Sequence, residues 1–144
     1  MKVANPYLNF PGNTEEAFEF YRSVFGGEFT NVTRFRDMGN GMGIAEEDLD
    51  RIANIGLPIG NGNILMATDT VKGFGKPLNP GNNFYVALEA DSAEEAETTF
   101  GKLAEGGTVE MPLQQVEWAE TYGSLKDRFG VQWMVMYTGN VEFG

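Results

Sequence analysis

The 144-residue chain contains neither cysteine nor histidine. Without cysteine it can form no disulfide, thiolate metal site or thiol nucleophile, and without histidine it lacks the commonest general base and the commonest transition-metal ligand. A serine triad is excluded on the same ground, because Ser23, Ser92 and Ser124 have no imidazole to activate them. Positive charge is scarce as well. Ten Lys and Arg against 21 Asp and Glu leave a net charge of −11, a field that repels phosphate backbones and anionic lipid heads. Neither nucleic acid nor a membrane is therefore expected as a partner. No apolar run approaches the roughly 20 residues of a bilayer span, and the opening Met1-Lys2-Val3-Ala4-Asn5-Pro6 lacks the apolar core of a signal peptide. A cytoplasmic protein is expected.

What the chain does contain is 42% apolar and 22% charged residues, which suits one ordinary domain or two small repeats. A repeat is visible. Cut between Thr70 and Val71, the halves carry five cations against ten acids and five against eleven, net −5 and −6. Tyr7 to Gly27 runs through an extended Tyr-Leu-Asn-Phe, the polar pair Asn13-Thr14, Glu15-Glu16-Ala17, a helical stretch and Gly26-Gly27. Tyr85 to Gly107 has the same order, with Tyr-Val-Ala-Leu, Asp91-Ser92, Glu94-Glu95-Ala96, a helical stretch and Gly106-Gly107. Matching pieces lie 78, 79 and 80 residues apart, so the order is a duplication.

Both helices have marked starts and one apolar face each. Asn13 with Glu16, and Ser92 with Glu95, have the spacing of a capping box. Ala17, Phe20, Tyr21, Val24 and Phe25 share one face, as do Ala96, Thr99, Phe100, Leu103 and Ala104. The glycine pairs supply the left-handed turn that ends a helix. Strands are predicted at 29–35, 52–59 and 64–68 in the first half and at 108–113, 121–125 and 131–137 in the second. Gly60-Asn61-Gly62-Asn63 reads as a hairpin junction and Asp127-Arg128-Phe129-Gly130 as a turn. Arg36 to Asp50 is a glycine-rich, then acidic, connection with room for one helical turn at 46–49. The fold class is α+β: two tandem βαβββ modules, 1–77 and 82–138, linked near 78–81. Each leaves one sheet face without a helix, and paired side by side they would form a curved, mixed eight-stranded sheet around a cleft.

Several stretches resemble the vicinal oxygen chelate superfamily of glyoxalases, extradiol dioxygenases and bleomycin-resistance proteins, and within it the PhnB-like group. They are Pro6-Tyr7-Leu8-Asn9-Phe10, Glu16-Ala17 before Phe20-Tyr21, Phe25-Gly26-Gly27, Ile64-Leu65-Met66, Trp118, Tyr122-Gly123, and Asp127 with Phe129-Gly130-Val131 and Trp133. In metal-dependent members four ligands, mostly His and Glu, project from the first and last strands of each module. The resemblance sets Pro6, Met66, Tyr85 and Met134 at those positions, and Asn54 where PhnB-like proteins often carry a histidine. None of the four suits a hard divalent cation. No catalytic metal and no other cofactor is expected. The resemblance also implies a homodimer.

The resulting expectation is a metal-free binder of a small organic molecule, with Asn54, Met66, Tyr85, Trp118, Tyr122, Met134 and Met136 as ligand-binding residues. Methionines make an adaptable floor and an indole can stack on a planar ligand, although the same residues would also serve as core. The alternatives are a glyoxalase-like lyase or isomerase, or another enzyme, in which Glu117 or Tyr85 moves a proton, or a non-catalytic dimeric scaffold with a collapsed cleft. Glu117 reads more readily as a solvated edge charge. Gly39-Asn40-Gly41-Met42-Gly43 and Gly73-Phe74-Gly75-Lys76-Pro77 do not satisfy a phosphate-loop pattern. Glu46, Glu47, Asp48 and Asp50 lack calcium-loop spacing and read as a solvated acidic run.

Overall fold

The computed structural model describes residues 1–39 and 43–141; Asn40, Gly41 and Met42 of the glycine-rich stretch lie outside the described residues. The eight strands fall into two hydrogen-bonded ladders of four. The first consists of β1 (Tyr7–Phe10), β2 (Asn31–Arg34), β3 (Ile52–Gly60) and β4 (Asn63–Asp69), in the order β1-β4-β3-β2, with α1 (Thr14–Phe25) between β1 and β2. The second consists of β5 (Val86–Glu89), β6 (Thr108–Val116), β7 (Ala119–Lys126) and β8 (Gln132–Tyr137), in the order β5-β8-β7-β6, with α2 (Ala93–Ala104) between β5 and β6. In each sheet the first and last strands pair in parallel and the other pairs are antiparallel. Each ladder with its helix is a βαβββ module. The chain divides into two compact units, Met1–Asn79 and Pro80–Gly144.

Alternation along the central strands decides which face each helix covers. In β4, Leu65, Ala67 and Asp69 are buried while Ile64, Met66 and Thr68 are half-buried. In β8, Trp133 and Val135 are buried while Met134 and Met136 are half-buried. The buried set packs under the helix: α1 lies against β3 and β4, and α2 against β6, β7 and β8. Gly123 lets α2 approach, since a Cβ there would sit 2.9 Å from the Phe100 ring. Asp127 holds the turn into β8, with Oδ1 accepting from the Phe129 and Val131 amides at 2.8 and 3.0 Å and Oδ2 from the Trp133 indole at 2.9 Å.

Several local expectations change. The Asn13 capping box does not form. Asp69, buried at the end of β4, accepts from the Thr14 amide at 2.9 Å and the Ile52 amide at 2.8 Å, so a residue 55 positions away takes the cap's place and Asn13 Oδ1 makes no hydrogen bond. In α2, Ser92 Oγ does accept from the Glu95 amide at 3.0 Å, while the Glu95 carboxylate takes the amide of Asp91 at 2.9 Å. Strand β2 stops early, because Arg34 N–H donates to Asp37 Oδ2 at 2.9 Å and turns Phe35–Met38 into a 3-10 helix. Strand β6 runs three residues past Leu113, through Pro112, which an edge strand accommodates without losing a ladder bond.

Asn61-Gly62 makes the β3–β4 turn with positive φ at both residues, 49° and 78°, which suits a right-twisted hairpin. The helical turn at Glu46–Asp48 is present as a 3-10 helix. Its Asp48 departs from the solvated reading: it is buried, paired with Arg51 at 3.3 Å. Its Oδ2 also accepts from the Lys72 amide at 3.4 Å.

Candidate functional site

Each sheet has one face without a helix, and most of the predicted ligand-binding residues occur there. In the first unit that face carries Met66 and Thr68 of β4, Asn54 of β3, Thr33 and Asn31 of β2 and Tyr7 of β1, set in line by the pairs Tyr7↔Met66, Gly56↔Met66 and Thr33↔Asn54. Its polar groups form one network. Asn54 Nδ2 donates to the Tyr7 hydroxyl at 3.3 Å, and Asn31 Nδ2 donates to Asn54 Oδ1 at 2.8 Å. Asn54 is thus clamped at both ends of its amide. Tyr7 and Asn31 were not predicted as site residues, although Tyr7 is the repeat partner of Tyr85 and that offset could have found it.

In the second unit the corresponding face carries Met134 and Met136 of β8 and Tyr122 and Ser124 of β7, paired as Ser124↔Met134 and Tyr122↔Met136. Tyr85, immediately before β5, donates its hydroxyl proton to Glu110 Oε1 at 2.8 Å. This joins opposite edges of the sheet, since β5 and β6 are the outer strands. Glu110 can do this because the β6–β7 register slips between Val109 and Met111, and a bulge re-aims a side chain. No local pattern in the sequence marked it. The hydrogen bond from Tyr85, then partial desolvation, and the charge of Glu110 raise the phenol above the usual tyrosine range. At neutral pH Tyr85 is accordingly a donor whose proton is already committed.

Glu117 and Trp118 are the two loop residues of the β6–β7 hairpin, closed by Val116↔Ala119. Glu117 is exposed. Trp118 is 41% exposed and stands edge-to-face on Tyr122, centroids 5.4 Å apart at 76°. Trp133, in contrast, is fully buried. Of the predicted residues, Asn54 and Met66 therefore belong to the first unit's face, Tyr85, Tyr122, Met134 and Met136 to the second's, and Trp118 to the hairpin end beside Tyr122.

The residues that the resemblance sets at the ligand positions, Pro6, Met66, Tyr85 and Met134, do not suit a cation. Pro6 has no side-chain donor, Met66 and Met134 offer thioethers, and the Tyr85 phenol is bonded to Glu110. Among the described residues no three Asp or Glu side chains converge in a way that could hold a metal ion. A separate pocket of about 280 Å³ in the first unit is lined by Arg51 and residues of 70–78, among them Lys72, Gly73 and Lys76. It contains none of the predicted site residues, and Arg51 is already bonded to Asp48 and to the Thr70 carbonyl at 2.9 Å.

Two βαβββ modules, each with a helix-free face, define a glyoxalase-type protein. The chain belongs to the Glyoxalase/Bleomycin resistance protein/Dioxygenase superfamily, whose family model matches residues 5–135. It is 30% identical over 139 residues to Protein YjdN of Escherichia coli strain K12, covering 91% of this chain and 92% of that one. Among solved structures it is similar to protein PA1353 from Pseudomonas aeruginosa, at 37% identity and a TM-score of 0.84, covering 95% of this chain and 98% of that one. It is also similar to a PhnB protein from Bacillus cereus described as a putative 3-demethylubiquinone-9 3-methyltransferase. There the identity is 27% and the TM-score 0.72, covering 95% of this chain and 99% of that one. No helix among the described residues is long and apolar enough to cross a membrane.

Proposed function

We propose that the protein binds a small organic molecule on its helix-free sheet faces without a catalytic metal. The observation that carries this reading is the second unit's face. Met134 and Met136 are only half-buried there, Tyr85 is held by Glu110, and an exposed indole is braced on Tyr122. An apolar surface with a few oriented polar groups is what ligand sites are made of. Methionine sulfur adapts to varied shapes, and the braced indole offers a flat surface for stacking.

Neither proton-transfer candidate supports turnover well. Tyr85 is shifted away from the phenolate that a base would need, and Glu117 is in an exposed hairpin loop where water would compete for any proton it moved. The same reading assigns the protein to the cytoplasm and gives it a second copy of itself as partner. Exposed Val109 and Met111 on the edge strand β6 support the dimer, because an unpaired edge carrying apolar side chains is a pairing surface.

The test uses the two tryptophans. With Trp133 buried and Trp118 exposed, quenching of the exposed indole during a small-molecule screen reports occupancy near Tyr122, and a bound ligand raises the melting temperature by mass action. Hits are expected to quench Trp118 in the wild type, to leave Trp118→Phe silent, and to bind equally well after chelation. Loss of every hit on chelation, with stoichiometric transition metal in the purified protein, would overturn the reading.

A further inference from the structure

The second unit's helix-free face presents hydrogen-bond acceptors and negative charge over an aromatic and thioether floor. The Tyr85 proton is spent on Glu110 Oε1, which leaves the phenol oxygen's lone pairs and the second carboxylate oxygen to face a ligand. Two donors at the Tyr85 end of this face are taken or turned aside, while the Tyr122 and Ser124 hydroxyls lie further along it. Gln132 Nε2 donates to the Phe84 carbonyl at 2.6 Å. The Lys126 stem lies beside Gly130, in the turn at the end of the sheet. A second carboxylate, Glu89, is bonded to Thr138 through both its amide and its hydroxyl. The floor is Met134, Met136, Tyr122 and, at the hairpin end, Trp118. The chain as a whole carries −11, so long-range attraction has the same sign as the local arrangement.

A carboxylate anchored at one side of a surface built from aromatic rings and methionines is complementary to a cation on an apolar frame: the carboxylate takes the charge-assisted hydrogen bond and the ring faces take the positive electrostatic potential. We propose that this face selects protonated amines carried on a flat apolar body, with Glu110 as the specificity-determining residue and Tyr85 as the group that positions its carboxylate. This rests on the small-molecule reading above and narrows it to one ligand class. An anionic or purely neutral ligand would leave the carboxylate desolvated without a partner, which is the basis of discrimination.

The experiment uses the full chain and three probes with one skeleton: 1-naphthylmethylamine, 1-naphthylmethanol and 1-naphthoate, titrated by calorimetry at pH 7. The amine is expected to bind about tenfold or more tighter than the alcohol, with the naphthoate weakest, and the preference is expected to shrink as salt is raised. In Glu110→Gln, which keeps an acceptor for Tyr85, the amine-to-alcohol ratio should fall to within about twofold, while Glu94→Gln on α2 leaves it unchanged. Equal binding of amine and alcohol by the wild type would overturn this inference and leave the small-molecule reading standing. Failure of the amine to bind would likewise overturn this inference, while the tryptophan-quenching screen decides the small-molecule reading separately. A ratio that falls as much in Glu94→Gln as in Glu110→Gln would assign the preference to net charge and overturn the role of Glu110.

Discussion

Tyr85 and Glu110 are the residues on which the reading of the second unit turns, and their bond can be tested by titration. Because the phenol is raised above its ordinary value, the fold favours the protonated form. The resulting stabilisation is complete below the unfolded tyrosine pKa, about 10, and is lost as pH rises through the higher folded value. A difference absorbance titration of wild type against Tyr85→Phe should show a phenol ionising above 10, and Glu110→Gln should return it toward the ordinary range. Ionisation of Tyr85 at or below 10 in the wild type would mean that the pair does not form in solution. Asn54 illustrates another residue-scale point. It is held between Tyr7 and Asn31, so its amide is oriented to present fixed polar atoms.

At the scale of elements, the two helices carry the same starting pattern but are capped differently. Ser92 Oγ makes its bond to the Glu95 amide, whereas Asn13 Oδ1 makes none and Asp69 caps α1 instead. Ser92→Ala should therefore cost about 1 kcal/mol in urea denaturation, and Asn13→Ala under about 0.5 kcal/mol. Equal losses would contradict the assignment of the α1 cap to Asp69. Strand β6 makes the complementary point. Its bulges and its exposure on both faces hide its last three residues, 114–116, from an alternation search, yet they deliver Glu110 to Tyr85 and carry the chain to the Glu117-Trp118 turn.

At the scale of the whole molecule, the proposed pairing of two copies places its test on the outer edge of β6. Val109 is 45% exposed and Met111 38% exposed, and a lysine at either position would set like charges on an edge that must lie dry in a dimer. Val109→Lys and Met111→Lys are expected to weaken self-association by about tenfold or more in sedimentation velocity, with the monomer still folded by circular dichroism. A dimer indifferent to both changes would move the interface elsewhere. The net charge of −11 acts in the same experiment, since screening by added salt reduces repulsion between copies.

The duplication, the α2 face, the hairpin at Asn61-Gly62 and the scarcity of metal-binding side chains were legible in the chain itself, because each depends on spacing or composition, whereas α1 buries Phe18 and leaves Phe20, Val24 and Phe25, expected on its apolar face, half-buried. The resemblance set Met66 and Met134 at site positions, and the strand spacing they share with Met136 left open whether a helix would cover them. What only the tertiary structure decided involves partners far apart in sequence: Asp69 displacing Asn13, Asp48 drawn in beside Arg51, Asn31 and Tyr7 gripping Asn54, and Glu110 meeting Tyr85 across the sheet. A periodic pattern records which side a residue faces. It carries no information on which distant group will satisfy its hydrogen bond, because that is set by strand order, bulges and the competition among buried polar atoms once the sheets have formed.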